Sequence, residues 1–265
     1  MNRQLHHLTL CIFLVLGAVL PAAALPKDPS KPDAASQITE ITLQRTWCYG
    51  RCPIDEVVLS ADGTAKYTGK MNRARTGQYK GTFWKGEFER LAQWFESQGF
   101  FKMKDKYGSP NIDLSDHIIS IVRDGQRKTI VNHSIQSSLV LWGMEAAIRG
   151  IASDIAWQPE PSGIRGIATW RPKTSSEFPG LPAFRALSNQ IVIVRPDGDK
   201  QEFMLRTDEN GKFEIALRPG TYNVEIPNFG RNSQTVNPKQ TVVVQPDKFS
   251  DVTIKIDRLS DQTKP

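Results

Sequence analysis

Trp47-Cys48-Tyr49-Gly50-Arg51-Cys52-Pro53, and beyond it Glu56-Val57-Val58-Leu59-Ser60-Ala61-Asp62-Gly63-Thr64-Ala65-Lys66-Tyr67-Thr68, decide how the first half of the chain reads. An apolar run leads into Asp62-Gly63, and Ala65 and Tyr67 then alternate with polar Lys66 and Thr68. Asp-Gly between two such runs is a strong hairpin signal. Upstream, Ile41, Leu43 and the later Trp47 fall on one alternating face, which predicts a further strand beginning near Ile38.

Downstream the period changes. Phe88, Leu91, Ala92 and Phe95 share one helical face that closes at Gly99, so a helix is expected over 85–98. Asp124-Gly125 sits between His117 to Arg123 and Gln126 to Val131, a second hairpin. Leu139, Leu141, Trp142, Met144, Ala146, Ile148 and Ile151 predict a second, largely buried helix over 137–155. The order β-β-β-α-β-β-α describes an α+β domain over residues 37–156, an antiparallel sheet with two helices.

Trp157-Gln158-Pro159-Glu160-Pro161-Ser162-Gly163 reads as a linker by composition. Helical periodicity then ends. Strands are expected over 164–170, 190–195, 201–206, 213–217, 221–226, 241–244 and 251–256, with turn signals at Pro196-Asp197-Gly198, Asn210-Gly211 and Pro219-Gly220. Seven short strands so punctuated predict an all-β sandwich over 160–257, ahead of a polar tail over 258–265.

The first 24 residues read as an export signal. Arg3 precedes the apolar run Leu8 to Leu20, and Ala22-Ala23-Ala24 ends it, so cleavage after Ala24 is expected. That run falls short of the ~20 apolar residues that span a bilayer. Residues 25–36, with three prolines, read as a flexible tether. No transmembrane segment is expected after cleavage, and a secreted or periplasmic location follows. Lys and Arg number 34 against 28 Asp and Glu. Lys66, Lys70, Arg73, Arg75, Lys80 and Lys85 form one stretch without an acid. The overall basic excess is mild and spread along the chain, so this stretch reads as a solvated hairpin and loop, and no nucleic-acid partner is expected.

Two resemblances rest on quoted residues. Cys48-Tyr49-Gly50-Arg51-Cys52-Pro53, the following strand, Asp62-Gly63 and Tyr67 resemble an uncharacterised domain of exported bacterial proteins. Asp55 stands where that pattern commonly has an aromatic. Thr207-Asp208-Glu209-Asn210-Gly211-Lys212-Phe213, with Leu217-Arg218-Pro219-Gly220-Thr221-Tyr222, resembles the transthyretin-like or carboxypeptidase-regulatory-like sandwich. This second resemblance implies a non-catalytic accessory, ligand-binding or interaction module.

With Cys11 in the signal, Cys48 and Cys52 are the two cysteines of the mature chain. In an oxidising compartment a structural disulfide is expected. A thiol-disulfide redox site is the alternative, with Arg51 beside the thiols. Catalytic dithiols usually carry Cys-x-x-Cys at a helix start; here the spacing is one longer and a strand follows. His117 and His133, with Asp113 and Asp116 nearby, match no zinc spacing, and no metal or cofactor is expected. Gly-x-Ser-x-Gly, His-Glu-x-x-His and a phosphate-binding glycine loop are all missing from the sequence. The expectation is an exported non-catalytic protein that binds a protein or glycan of the envelope or outside it. Tyr49, Gly50 and Arg51 in the Cys-Cys loop are the expected contact surface, with Trp170 and Phe178 as glycan-facing aromatics.

Overall fold

The computed structural model describes residues 37–109, 113–133, 138–171, 184–227, 234–236 and 239–257. The signal with Cys11, the tether, Phe178 and the polar tail lie outside the described residues. No helix among the described residues is long and apolar enough to cross a membrane.

The first half builds strands β1 (Ile38–Arg45), β2 (Ile54–Ser60), β3 (Thr64–Met71) and β4 (Gly77–Thr82), then helix α1 (Lys85–Ser97). Strands β5 (Lys106–Tyr107), β6 (His117–Arg123) and β7 (Gln126–Asn132) follow, then α2 (Leu139–Asp154) and β8 (Gln158–Pro159). The alternation foreseen in sequence works as a packing rule. Ile41, Leu43, Val57, Leu59, Ala65, Tyr67, Ile119, Ile121 and Ile130 share one buried cluster with Phe88, Leu91 and Phe95 of α1 and Leu141, Met144 and Ile148 of α2. Asp124 and Gly125 have φ of 53° and 76°, the paired positive values of a tight hairpin turn. Helix α2 starts on Ser138, whose Oγ accepts from the Leu141 N–H.

Three expectations for this half need correction. Trp47 lies beyond the end of β1 and is exposed instead of continuing the Ile41–Leu43 face. Helix α2 is buried along one stripe, while Leu139, Val140 and Trp142 face outward. Strand β4 was unforeseen, because Gly77-Gln78-Tyr79-Lys80-Gly81-Thr82 shows no apolar alternation.

The second half contributes β9 (Gly163–Arg171), β10 (Arg185–Ala186), β11 (Ile191–Pro196), β12 (Phe203–Arg206), β13 (Lys212–Ala216), β14 (Gly220–Glu225), β15 (Gln234–Val236), β16 (Lys239–Val244) and β17 (Phe249–Asp257). All seven expected strands are present, joined by the short β10 and β15. They form two layers, β15-β17-β9-β13 and β12-β11-β14-β16. Between them lies a second buried cluster containing Ile164, Val192, Val194, Phe203, Phe213, Leu217, Tyr222, Val224 and Ile254. The Tyr222 hydroxyl donates to the Arg218 carbonyl at 2.9 Å, tying the Pro219-Gly220 corner to its own strand.

The two halves share a sheet. Its order runs β15-β17-β9-β13-β4-β3-β2-β1-β6-β7-β5, and the crossing occurs where β13 meets β4 in parallel, Ala216 against Gly77. The segment that reads as a linker is part of this seam. Gln158 and Pro159 pair with Lys80 and Tyr79. Glu160 N–H donates to Gln78 O at 3.0 Å. Buried Ser162 donates its hydroxyl to Leu217 O at 2.7 Å, and Leu217 N–H donates to Ser162 O at 2.8 Å. Gln78 Oε1 accepts from Arg218 N–H at 2.8 Å, and Arg218 Nε meets Glu160 Oε1 at 3.3 Å. Polar composition here serves hydrogen bonds across the seam, which is why it mimics a loop.

At Gly77 the two backbones approach closely. Its φ is 118°, and a Cβ there would stand 2.7 Å from Ala216 O. Gly77→Ala is therefore expected to lower stability by about 2 kcal/mol or more, from backbone strain and lost contact together. Urea unfolding of the full chain checks this.

Candidate functional site

One end of the first sheet gathers the chemistry-bearing side chains. Arg45 ends β1 opposite both Asp55 and His117, and His117 faces Asn132 across β6–β7. The Cys48–Cys52 loop, the 72–76 loop, Asp116 and His133 all continue from these strand ends.

Cys48 and Cys52 are joined in a disulfide with Cα atoms 5.9 Å apart. Cys48 is 2% exposed, so one sulfur is shielded. The chain after the pair enters β2 and not a helix, whose N-terminus is the usual place where a catalytic thiol pKa is lowered. The staple pushes its neighbours outward: Trp47 is 57% exposed and Tyr49 75%. Gly50 and Arg51 are exposed too. Asn72 Nδ2 donates to Cys52 O at 3.0 Å, binding the loop to the next one along the sheet end.

Beneath the loop sits Asp55, only 3% exposed. Arg45 grips it with two hydrogen bonds, Nε to Oδ1 at 2.7 Å and one terminal nitrogen to Oδ2 at 2.5 Å. Arg73 Nε lies 3.0 Å from Oδ2, and it donates to the Tyr67 hydroxyl at 3.0 Å. The Tyr67 hydroxyl in turn lies 3.3 Å from Asp55 Oδ2. Burial pushes the Tyr67 phenol up, and nearby Asp55 adds to the rise while Arg73 opposes it. The position at which the sequence departed from its resemblance is thus a buried ion-pair hub.

A second buried acid, Glu145, is fully covered on α2. Its Oε2 lies 2.5 Å from His117 Nδ1, and its Oε1 accepts from Asn132 Nδ2 at 3.1 Å. His133 Nδ1 lies 2.9 Å from Asp116 Oδ1. The two histidines lie at neighbouring strand ends, and each takes its own carboxylate. No group of three or more His, Cys, Asp or Glu among the described residues has an arrangement that holds a metal ion. Sequence reading missed Asp55 and Glu145 as hubs. For Glu145 the signal is a lone acid among Leu141, Met144 and Ile148 on one helical stripe.

The basic stretch is less solvated than expected. Arg73 is engaged by Asp55, and Lys70 is 8% exposed. Trp170 lies at the opposite end of β9 from the seam, half-buried, with the Arg185 guanidinium 5.8 Å from its ring centre. The structure does not join it to the stapled loop.

Residues 39–152 match the family described as a domain of unknown function, DUF6438. Among solved structures, the chain is similar to GBS52, the minor pilin of Streptococcus agalactiae, at 10% identity and TM-score 0.31 over 92% of each chain. It is also similar to the Bacillus anthracis TIE protein at 9% identity and TM-score 0.29, over 85% of this chain and 35% of that one. A third is BcpA, the major pilin subunit of Bacillus cereus, at 12% identity and TM-score 0.27 over 84% and 60%. No curated protein matches the chain.

Two outcomes follow from the hub. Asp55→Ala strands Arg45 under the loop and is expected to cost about 3 kcal/mol in urea unfolding, since breaking a buried pair leaves an uncompensated charge. Replacing both partners, Asp55→Leu with Arg45→Met, is expected to recover most of that loss. Tyr67 sets an alkaline limit. Its unfolded phenol ionises near ~10 while the folded one holds its proton to higher pH. Its contribution is complete below that value and lost as pH rises through the raised folded value. Tyr67→Phe is expected to flatten the fall of unfolding free energy between pH 9 and 11 relative to the parent chain.

Proposed function

We propose that this is an exported, non-catalytic two-domain protein that binds an envelope or extracellular protein partner through the stapled loop Trp47 to Pro53. The carrying observation is two large aromatics, Trp47 and Tyr49, held in solvent by a disulfide that itself rests on a buried ion-pair hub. Exposed aromatics on a fixed loop are favourable binding anchors, because their ordering cost is already met before contact. A disulfide in so short a loop suits an oxidising compartment, in line with a signal over residues 1–24 and a secreted or periplasmic location. A protein is favoured over a glycan because Arg185 lies over the Trp170 ring, the described one of the two aromatics a glycan would use.

The domain plan belongs to the same reading: an α+β domain over 37–156 and a transthyretin-like sandwich over 160–257. Two separate buried clusters support it, as does the Tyr222 to Arg218 corner.

The test compares capture from envelope extract by the full chain and by the Trp47→Ala, Tyr49→Ala double variant. The parent is expected to retain a specific protein that the variant loses, with unfolding free energies equal to within about 0.5 kcal/mol because both side chains are exposed. Equal retention by both chains removes the loop from the interface. Mass spectrometry of the exported chain is expected to find Leu25 at its N-terminus.

A further inference from the structure

The seam holds an open cleft that the stapled loop does not use. It lies between the β3 end with the loop after it and strands β11 and β12, with a volume of about 360 Å³. Clefts of small-molecule sites run roughly 300–1,000 Å³. Met71, Ile191, Met204 and Leu205 supply its apolar lining. Two methionines suit such a site, since their unbranched thioethers adapt to irregular shapes.

The charged part of the lining is cationic, with neutral Asn72 and Thr76 beside it. Arg73 and Arg206 both line the cleft, and none of its lining residues is acidic. Arg73 is held by Nε against Tyr67 and Asp55, so the guanidinium is already positioned. Its terminal nitrogens have no partner among the described residues. Arg206 donates to Asn189, to the backbone carbonyl at 2.9 Å and the side-chain oxygen at 3.4 Å. These are neutral acceptors, and no carboxylate among the described residues offsets the Arg206 charge. Lys70, buried beside Met71 in the chain, also has no ion pair among the described residues. Asp55 is shared between Arg45 and Arg73, so one negative charge answers two positive ones there. The local balance is positive around an apolar pocket.

We infer that this cleft binds a small amphipathic anion, a carboxylate head between Arg73 and Arg206 with an apolar chain over Met71, Ile191, Met204 and Leu205. Guanidinium presents paired donors that match a carboxylate. Preset arginines reduce the ordering cost of binding. Both halves of the chain line the cleft, so an occupant also bridges the seam.

Decanoate is the probe, titrated as monomer into the full chain by calorimetry, with decyltrimethylammonium as the cationic comparison of equal chain length. Decanoate is expected to bind at one site and the cation not to bind. Arg206→Glu is expected to weaken decanoate tenfold or more with an unchanged unfolding midpoint, since that side chain is exposed. Met204→Trp fills the cleft and is expected to abolish binding; if it fails to fold, Arg206→Glu decides alone. The Trp47→Ala, Tyr49→Ala variant is expected to bind decanoate as the parent does, which separates this site from the loop. Absence of decanoate binding, equal binding of the cation, or unchanged affinity in Arg206→Glu overturns the inference.

Discussion

The close approach of Gly77 to Ala216 is the constraint on which the arrangement of the chain depends. A single parallel register pair joins a helix-backed sheet to one layer of a sandwich. So small a pairing would be weak alone. It holds because Gln78, Glu160, Ser162, Leu217 and Arg218 surround it with hydrogen bonds, each satisfying a backbone or side-chain group that the contact takes from water. Trp157 caps the seam from the first core, with its ring 5.6 Å from Tyr67 and its Nε1 donating to Ala152 O at 2.9 Å.

Burial of charge organises the sheet end next to that seam. Asp55 and Glu145 would be costly as isolated charges in an apolar interior. Each is surrounded by fixed partners, Arg45 with Arg73 and Tyr67 for the first, His117 with Asn132 for the second. The partners come from four strands and a loop. The acids therefore define the relative positions of these elements as much as the apolar contacts do. Arg73 serves both the Asp55 hub and the cleft: it neutralises the acid and lines the cleft.

Much of the fold was legible locally. The Asp62-Gly63 and Asp124-Gly125 hairpins encode their turns in residues that tolerate positive φ, and the Phe88–Phe95 stripe encodes its helix by spacing. Strand β4 was illegible because its role is to be paired on both edges, by β3 and by β13 with β8, and not to present an alternating apolar face. The linker reading failed for the complementary reason: Gln158 to Ser162 is polar because its polar groups bond across the seam. Trp47 fits the Ile41–Leu43 alternation and Trp142 lies in an apolar helical run, yet both face solvent. The His117–Glu145 and Asp55–Arg73 contacts join residues 28 and 18 positions apart in the chain, with no spacing rule to announce them.

By itself, the sequence determined both helices, the Asp-Gly hairpins, the seven strands expected over 164–256 and the cysteine pair, because each depends on neighbours within a few residues. The tertiary structure alone decided that the halves share a sheet, that Asp55 and Glu145 are hubs, and that Arg73 and Arg206 face one cleft. These depend on register and on which faces meet. Such choices are made by backbone approach distance and by the need to pair buried charge, and both act between residues far apart in the chain.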